Sequence, residues 1–105
     1  MFSFGISSVT IPKTLSYYGT ATALSAARYD LAATLVGDYA LFGGGTTGSV
    51  SSVVDAYNTS LTRSTPTALS VARSYLAATS IGNYALFGGG YTGSESDVVD
   101  VYEWS

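Results

Sequence analysis

The sequence predicts an all-β protein that contains two copies of one structural unit. Residues 23–60 align with residues 68–105 at an offset of 45 positions, and 26 of the 38 aligned pairs are identical. Each copy contains short apolar runs, mostly rich in β-branched or aromatic residues and bounded by turn residues, which is typical of strands. Each also contains three consecutive glycines, which would destabilise the helices found in helical repeats of similar length.

The first copy contains four predicted strands. Residues 31–36 form the first, which ends at the turn pair Gly37-Asp38, and residues 39–42 form the second, which runs into Gly43-Gly44-Gly45. After a loop rich in glycine, serine and threonine, the third strand covers residues 53–57, and the more polar residues 61–65 are the fourth. Apolar runs without strict alternation are expected in strands that are buried on both faces.

The second copy contains only three predicted strands, over residues 76–81, 84–87 and 98–102, and the sequence ends before a fourth. A segment equivalent to the fourth strand occurs instead near the N-terminus, where residues 14–22 align with residues 59–67. We therefore divide the chain into four parts. They are an N-terminal extension (1–13), an outer strand that completes a sheet of a neighbouring chain (14–22), a first repeat (23–67) and a second repeat that lacks its own outer strand (68–105).

Three recurring elements resemble the kelch repeat. A hydrophobic strand ends in a glycine doublet, a later strand carries an aspartate and a tyrosine, and an arginine precedes the first strand. These residues are Gly43, Gly44, Asp55, Tyr57 and Arg28 in the first copy and Gly88, Gly89, Asp100, Tyr102 and Arg73 in the second. The tryptophan that follows the tyrosine strand in the family has no clear equivalent. The resemblance implies a β-propeller of four-stranded antiparallel blades, with two blades in each chain.

A two-blade chain is expected to assemble with copies of itself. Two blades leave two apolar faces in water and one sheet edge unpaired, which favours association. Because head-to-tail contacts must close into a ring or continue as a fibre, and propellers contain about four to eight blades, ring closure requires several chains. We predict a homotrimer with six blades, and a homotetramer with eight blades as the next alternative.

Composition argues against several functions. The four cations, Lys13, Arg28, Arg63 and Arg73, are not clustered and the net charge is −3, so nucleic-acid binding is not expected. There is no histidine or cysteine, so hydrolytic triads and zinc sites lack their usual residues. The glycine-rich segments precede strands rather than helices, unlike a dinucleotide-binding loop. We predict no enzyme activity and no cofactor or metal. No signal peptide or membrane-spanning segment is recognised, and the localisation stays open.

The candidate ligand-binding residues are two arginines and three tyrosines, namely Arg28, Arg73, Tyr29, Tyr75 and Tyr91. The arginines have two interpretations: each satisfies carbonyls and pairs with Asp55 or Asp100, or each binds an anionic ligand. The tyrosines lie in segments that differ between the copies and could stack on a sugar or a protein. The leading hypothesis is a non-enzymatic interaction module that binds a protein or a glycan on a loop face. The alternatives are a self-assembling propeller fragment without a ligand and a sugar-processing enzyme.

Overall fold

Residues 12–105 form two antiparallel β-sheets in a computed structural model of the chain, which describes these residues only. The all-β prediction is confirmed, because this part of the chain contains no helix. It accordingly has no helix that is long and apolar enough to cross a membrane. Nearly all of the extension predicted over residues 1–13 lies outside the described residues.

The first sheet has four strands in sequential order: β1 (Ala32–Val36), β2 (Tyr39–Gly43), β3 (Val54–Tyr57) and β4 (Arg63–Ser64). The first three agree with the predicted strands to within a residue at each end. The fourth is shorter than predicted. Leu61 adopts a left-handed φ of 61°, and the Asn58 side chain accepts hydrogen bonds from the Ser60 and Thr62 amides. This turn keeps residues 58–62 out of the strand.

The second sheet repeats the first but has three strands: β5 (Ala77–Ile81), β6 (Tyr84–Gly88) and β7 (Val99–Glu103). Its register is the same, since Ala77 pairs with Gly88 as Ala32 pairs with Gly43. Residues 14–22 form no strand within the described chain, and their side chains are exposed. Within residues 12–105 the second sheet therefore has no fourth strand.

The two sheets stack face to face, with β1 against β5 and β6. The buried apolar side chains from both sheets form a single core cluster, consisting of Ala32, Val36, Leu41, Val54, Ala56, Leu69, Leu76, Ala85 and Phe87. The absence of a side chain at Gly43 permits this close stacking. A Cβ atom at Gly43 would lie 2.8 Å from the Phe87 ring, which occupies that space. The glycine of the repeat motif is therefore a packing requirement between the sheets.

Four segments lie at one end of the sheets, which we call the glycine-loop end. They are the segments that precede β1 and β5, the loop between β2 and β3, and the loop between β6 and β7. Hydrogen bonds connect the loops of the two sheets there, including Tyr75 N to Asp30 O at 2.9 Å and Gly45 N to Arg73 O at 2.8 Å. Four of the five candidate ligand-binding residues immediately precede β1 or β5, and the fifth follows β6. The fold therefore brings all five to the same end.

Candidate functional site

A buried ion pair connects the strands of the first sheet. Arg28 NH1 donates to Asp55 Oδ2 at 2.8 Å, Arg28 Nε donates to Gly44 O at 2.7 Å, and Arg28 NH2 donates to Phe42 O at 3.2 Å. Both charged side chains are fully buried. The guanidinium therefore satisfies carbonyls near the end of β2 and just after it, as one of the two sequence interpretations proposed.

The second sheet contains the same network. Arg73 is fully buried, pairs with Asp100 Oδ2 at 2.5 Å, and donates to Gly89 O at 2.7 Å and Val98 O at 3.0 Å. Because the donors of Arg28 and Arg73 are directed into the sheets, neither guanidinium is presented to a ligand in this structure. We therefore treat both arginines as structural residues.

The two aspartates differ in their surroundings. Burial raises the pKa of Asp55, but hydrogen bonds from Arg28 and Ser25 and the charge of Arg28 outweigh it and leave that pKa below its usual value. Arg63, on β4, adds a longer contact, with its Nε 3.9 Å from Asp55 Oδ1. Among residues 12–105 no strand pairs with the outer edge of β7 beside Asp100, and the Asp100 side chain is 18% exposed.

The three candidate tyrosines lie on the surface of the glycine-loop end. The exposed fractions of Tyr29, Tyr75 and Tyr91 are 62%, 68% and 44%. A hydrogen bond with Asp30 raises the pKa of the Tyr75 hydroxyl, and the backbone amide of Tyr75 also bonds to Asp30 O. The structure thus brings aromatic rings and a carboxylate to one surface, where the rings are free to contact a sugar or a peptide.

The tyrosines of the repeat motif have a different role. The Tyr57 hydroxyl donates to Thr22 O at 2.8 Å, and the Tyr102 hydroxyl donates to Thr67 O at 2.7 Å. Each ring packs edge to face against the phenylalanine of the preceding strand, with centroids 5.8 Å apart. These bonds attach the segment that enters each repeat to its third strand, so Tyr57 and Tyr102 are structural.

The second sheet has an outer face that is apolar and exposed, which we call face 2. It consists of the side chains of Ala77, Thr79, Ile81, Leu86, Val99 and Val101. The equivalent side chains of the first sheet are buried between the sheets, except Thr34, which is half-buried. Val54 is 1% exposed and its equivalent Val99 is 54% exposed, and Val36 and Ile81 are 6% and 69% exposed. Face 2 includes a shallow hollow of about 270 Å³.

The first sheet has the complementary outer face, which we call face 1. Its side chains are Ala33, Leu35, Ala40 and Phe42. The equivalent residues of the second sheet include Ala85 and Phe87, which are completely buried against the first sheet. An apolar hollow of about 520 Å³ lies over face 1, between Phe42 and residues 20–24. The sequence predicted that two apolar faces would be left over, but not which side chains form them.

No protein-family model matches the chain, and no curated protein is significantly similar to it. Within residues 12–105, no group of three or more histidine, cysteine, aspartate or glutamate side chains is arranged to hold a metal ion.

Proposed function

We propose that the chain is a non-enzymatic, self-assembling β-propeller subunit of the kelch type, whose first binding partner is another copy of itself. One observation carries this proposal. The interface between the two sheets of one chain is built from two faces, and the 45-residue repeat presents the same two faces again, on the outside, as face 1 and face 2. We therefore expect face 1 of one copy to cover face 2 of another.

Side-chain packing supports this match. Within the chain, the Phe87 ring occupies the space above Gly43. The equivalent pair across two copies is Phe42 on face 1 and Gly88 on face 2. The space above Gly88 is open, because a Cβ atom built there would meet only Val99, at 3.5 Å. Phe42 of one copy is thus expected to lie on Gly88 of the next.

Backbone hydrogen bonding supports the same match. Within the chain the sheets are joined by bonds from Gly45 N to Arg73 O at 2.8 Å and from Leu69 N to Ser52 O at 2.8 Å. The corresponding groups across two copies are Gly90 N with Arg28 O and Leu24 N with Asp97 O. None of these four groups has a backbone partner among residues 12–105. The loops beside the two outer faces therefore carry donors and acceptors that we expect to pair between copies in the register of the internal interface.

Assembly through unlike faces is head to tail, and only a closed ring covers every face. Full burial of one aliphatic side chain such as Ile81 or Val99 contributes about 1.5–3 kcal/mol, so an open face carries a substantial cost. Closed propellers contain about four to eight blades, which three or four copies would supply. We propose the homotrimer of six blades, with the homotetramer of eight blades as the alternative.

Two face variants test the head-to-tail contact. Val99→Asp places a charge on face 2, and Ala40→Asp places one on face 1, because their equivalents Val54 and Ala85 are 1% and 0% exposed in the internal interface. Each variant alone should be unable to close a ring, whereas a mixture should form a one-to-one dimer through the two intact faces. Thr92→Asp adds the same charge to an exposed loop residue and should leave assembly unchanged.

The measurement is solution mass by light scattering at several chain concentrations. The parent is expected to have three or four times the 10.8 kDa mass of one chain. A folded parent that keeps the mass of one chain at high concentration, or a mixture of the two face variants that stays monomeric, would overturn the proposal.

A second candidate function is ligand binding on the glycine-loop end, which the exposed rings of Tyr29, Tyr75 and Tyr91 favour. In a closed ring these rings would be repeated around one end of the propeller, so that a branched glycan or an extended peptide could contact several of them. Glycan-array screening of the parent is the test. Tyr91→Ala should weaken any binding, because it removes a stacking surface, and Tyr39→Ala, at the opposite end of the sheets, is the matched control. Binding that is unchanged by substitution of all three tyrosines would exclude this site.

A further inference from the structure

The outer edge of β7 is an unfilled strand position. In the first sheet the equivalent edge of β3 is paired with β4, whereas within residues 12–105 β7 has a neighbour only on the side of β6. Trp104 N donates to Asn83 O at 2.8 Å, on the inner side of the strand. Because hydrogen-bonding direction alternates along a strand, the backbone groups of Val101 and Glu103 are directed towards the open edge.

Residues 14–22 correspond in sequence to the segment that contains β4, but they pair with no strand among residues 12–105. The chain leaves the first sheet through β4 and, three residues after Ser64, reaches Thr67, whose carbonyl accepts the Tyr102 hydroxyl. Thr22 has the same position in the first repeat and accepts the Tyr57 hydroxyl. The residues before Thr22 lead away from the first sheet, and Leu15 and Tyr18 are 102% and 91% exposed.

We propose that residues 17–19 of one copy form the outer strand on β7 of the next copy, with Tyr18 opposite Tyr102 and Gly19 opposite Val101. This inference rests on the head-to-tail assembly proposed above, and it adds a second, independent contact between neighbouring copies. The register follows from β3 and β4, in which Tyr57 pairs with Arg63 and Ala56 pairs with Ser64. A shift of 45 residues converts those pairs into the proposed ones.

The donated strand would also complete the surroundings of Asp100. In the first sheet Arg63 approaches Asp55 and donates to Ala23 O at 2.7 Å. Tyr18 replaces Arg63 in the donated strand, so its hydroxyl would take the place of the guanidinium near Asp100 and Ala68 O. The Tyr18 hydroxyl is a neutral donor, so it could bond to Asp100 without adding a second positive charge beside Arg73. The Tyr18 ring would cover the exposed part of the carboxylate.

A disulfide test examines the register directly, because the chain contains no cysteine. One residue beyond the proposed pairs, Tyr17 is opposite Glu103, and both side chains are exposed. The double variant Tyr17→Cys with Glu103→Cys should form a disulfide between chains under mild oxidation. The matched control, Tyr18→Cys with Glu103→Cys, is shifted by one residue. Since such a shift directs the two side chains to opposite sheet faces, it should cross-link at least about tenfold more slowly.

Three outcomes separate this inference from the proposed function. Fast cross-linking of the 17–103 pair between chains, with the expected parent mass, supports both. A parent that assembles while both pairs cross-link equally slowly overturns strand donation and leaves the face-to-face contact standing. A parent that is monomeric overturns both.

Hydrogen exchange supplies a second measurement that needs no cysteine. In the assembled parent the Val101 amide should be protected, because Gly19 O of the neighbouring copy accepts its proton. Gly19→Pro removes the amide donor of that residue pair and constrains the donated strand, so it should lower Val101 protection at least about tenfold. Ala21→Pro, which lies beyond the last proposed pair, is the control. Equal protection of Val101 in the parent and in Gly19→Pro would overturn the register.

Discussion

The two sheets of this protein have nearly the same sequence and very different burial. Leu41, Val54 and Ala56 are buried in the first sheet, whereas the identical or similar side chains of the second sheet contact solvent. Nothing within a repeat causes this difference. It arises because the first sheet has a sheet on that side and the second sheet does not.

The arginine networks show the opposite behaviour and are nearly the same in both sheets. Each arginine bonds to carbonyls and an aspartate of its own repeat. None of these bonds involves a residue of the other sheet. The comparison therefore separates features that one repeat determines from features that need a second repeat.

The largest expected effect comes from the buried ion pairs. Arg73→Met should lower the free energy of unfolding by about 3–5 kcal/mol, because it leaves Asp100 unpaired and several carbonyls unsatisfied. Arg28→Met should have a similar effect, since its network is equivalent. Urea denaturation at one fixed chain concentration measures both. If the free energy of unfolding fell several-fold less in one variant than in the other, the two networks would not be equivalent.

The next largest effect distinguishes the buried face from the exposed one. Val54→Ala should cost about 2 kcal/mol at any chain concentration, because two methyl groups leave the core. Val99→Ala should cost less than about 0.5 kcal/mol in dilute, unassembled protein. At concentrations where copies assemble, its cost should approach that of Val54→Ala. A Val99→Ala effect that is independent of concentration would contradict the covering of face 2.

The turn glycines provide a smaller contrast. Gly37 and Gly82 both have left-handed φ values, 55° and 56°, so alanine should cost about 1 kcal/mol at either position. A Cβ atom at Gly37 would also lie 2.2 Å from the Trp104 ring, whereas Gly82 has open space. Gly37→Ala should therefore cost about 1 kcal/mol more than Gly82→Ala, because the ring must move. Thermal unfolding of both variants measures the difference, and Trp104 fluorescence should change only in Gly37→Ala.

The smallest expected effect concerns Tyr102 at alkaline pH. Burial and the charge of Asp100 raise its pKa to about 12, although Arg73 opposes this. A folded-state pKa above the unfolded value of about 10 means that the stability is intact below pH 10 and falls as the pH approaches 12.

Tyr102→Phe tests this dependence. It should cost about 1 kcal/mol near neutral pH, because the bond to Thr67 O is lost, and it should reduce the stability loss between pH 10 and 12. Tyr57→Phe, which removes the equivalent bond to Thr22 O, is the control at neutral pH. Denaturation of each variant at pH 8 and pH 11 is the measurement. An unchanged alkaline loss in Tyr102→Phe would show that another group causes it.

Sequence reasoning succeeded where the cause is local. Six of the seven strands were predicted to within a residue at each end, because turn glycines and apolar runs define them. It was less accurate for β4, where the side-chain bonds of Asn58 and the left-handed Leu61 shorten the strand. It also left the role of Arg28 and Arg73 open, because both a buried pair and a surface cation are consistent with an arginine before a strand.

By itself, the sequence determined the all-β class, the two equivalent units and the positions of six of the seven strands. These follow from backbone preferences and from the repeat, which act over a few residues. Only the tertiary structure decided which side chains are buried and which remain on face 1 and face 2. The burial of a side chain depends on whether another sheet packs against it. Residues of identical type in the two repeats differ in burial because only one of them has such a neighbour.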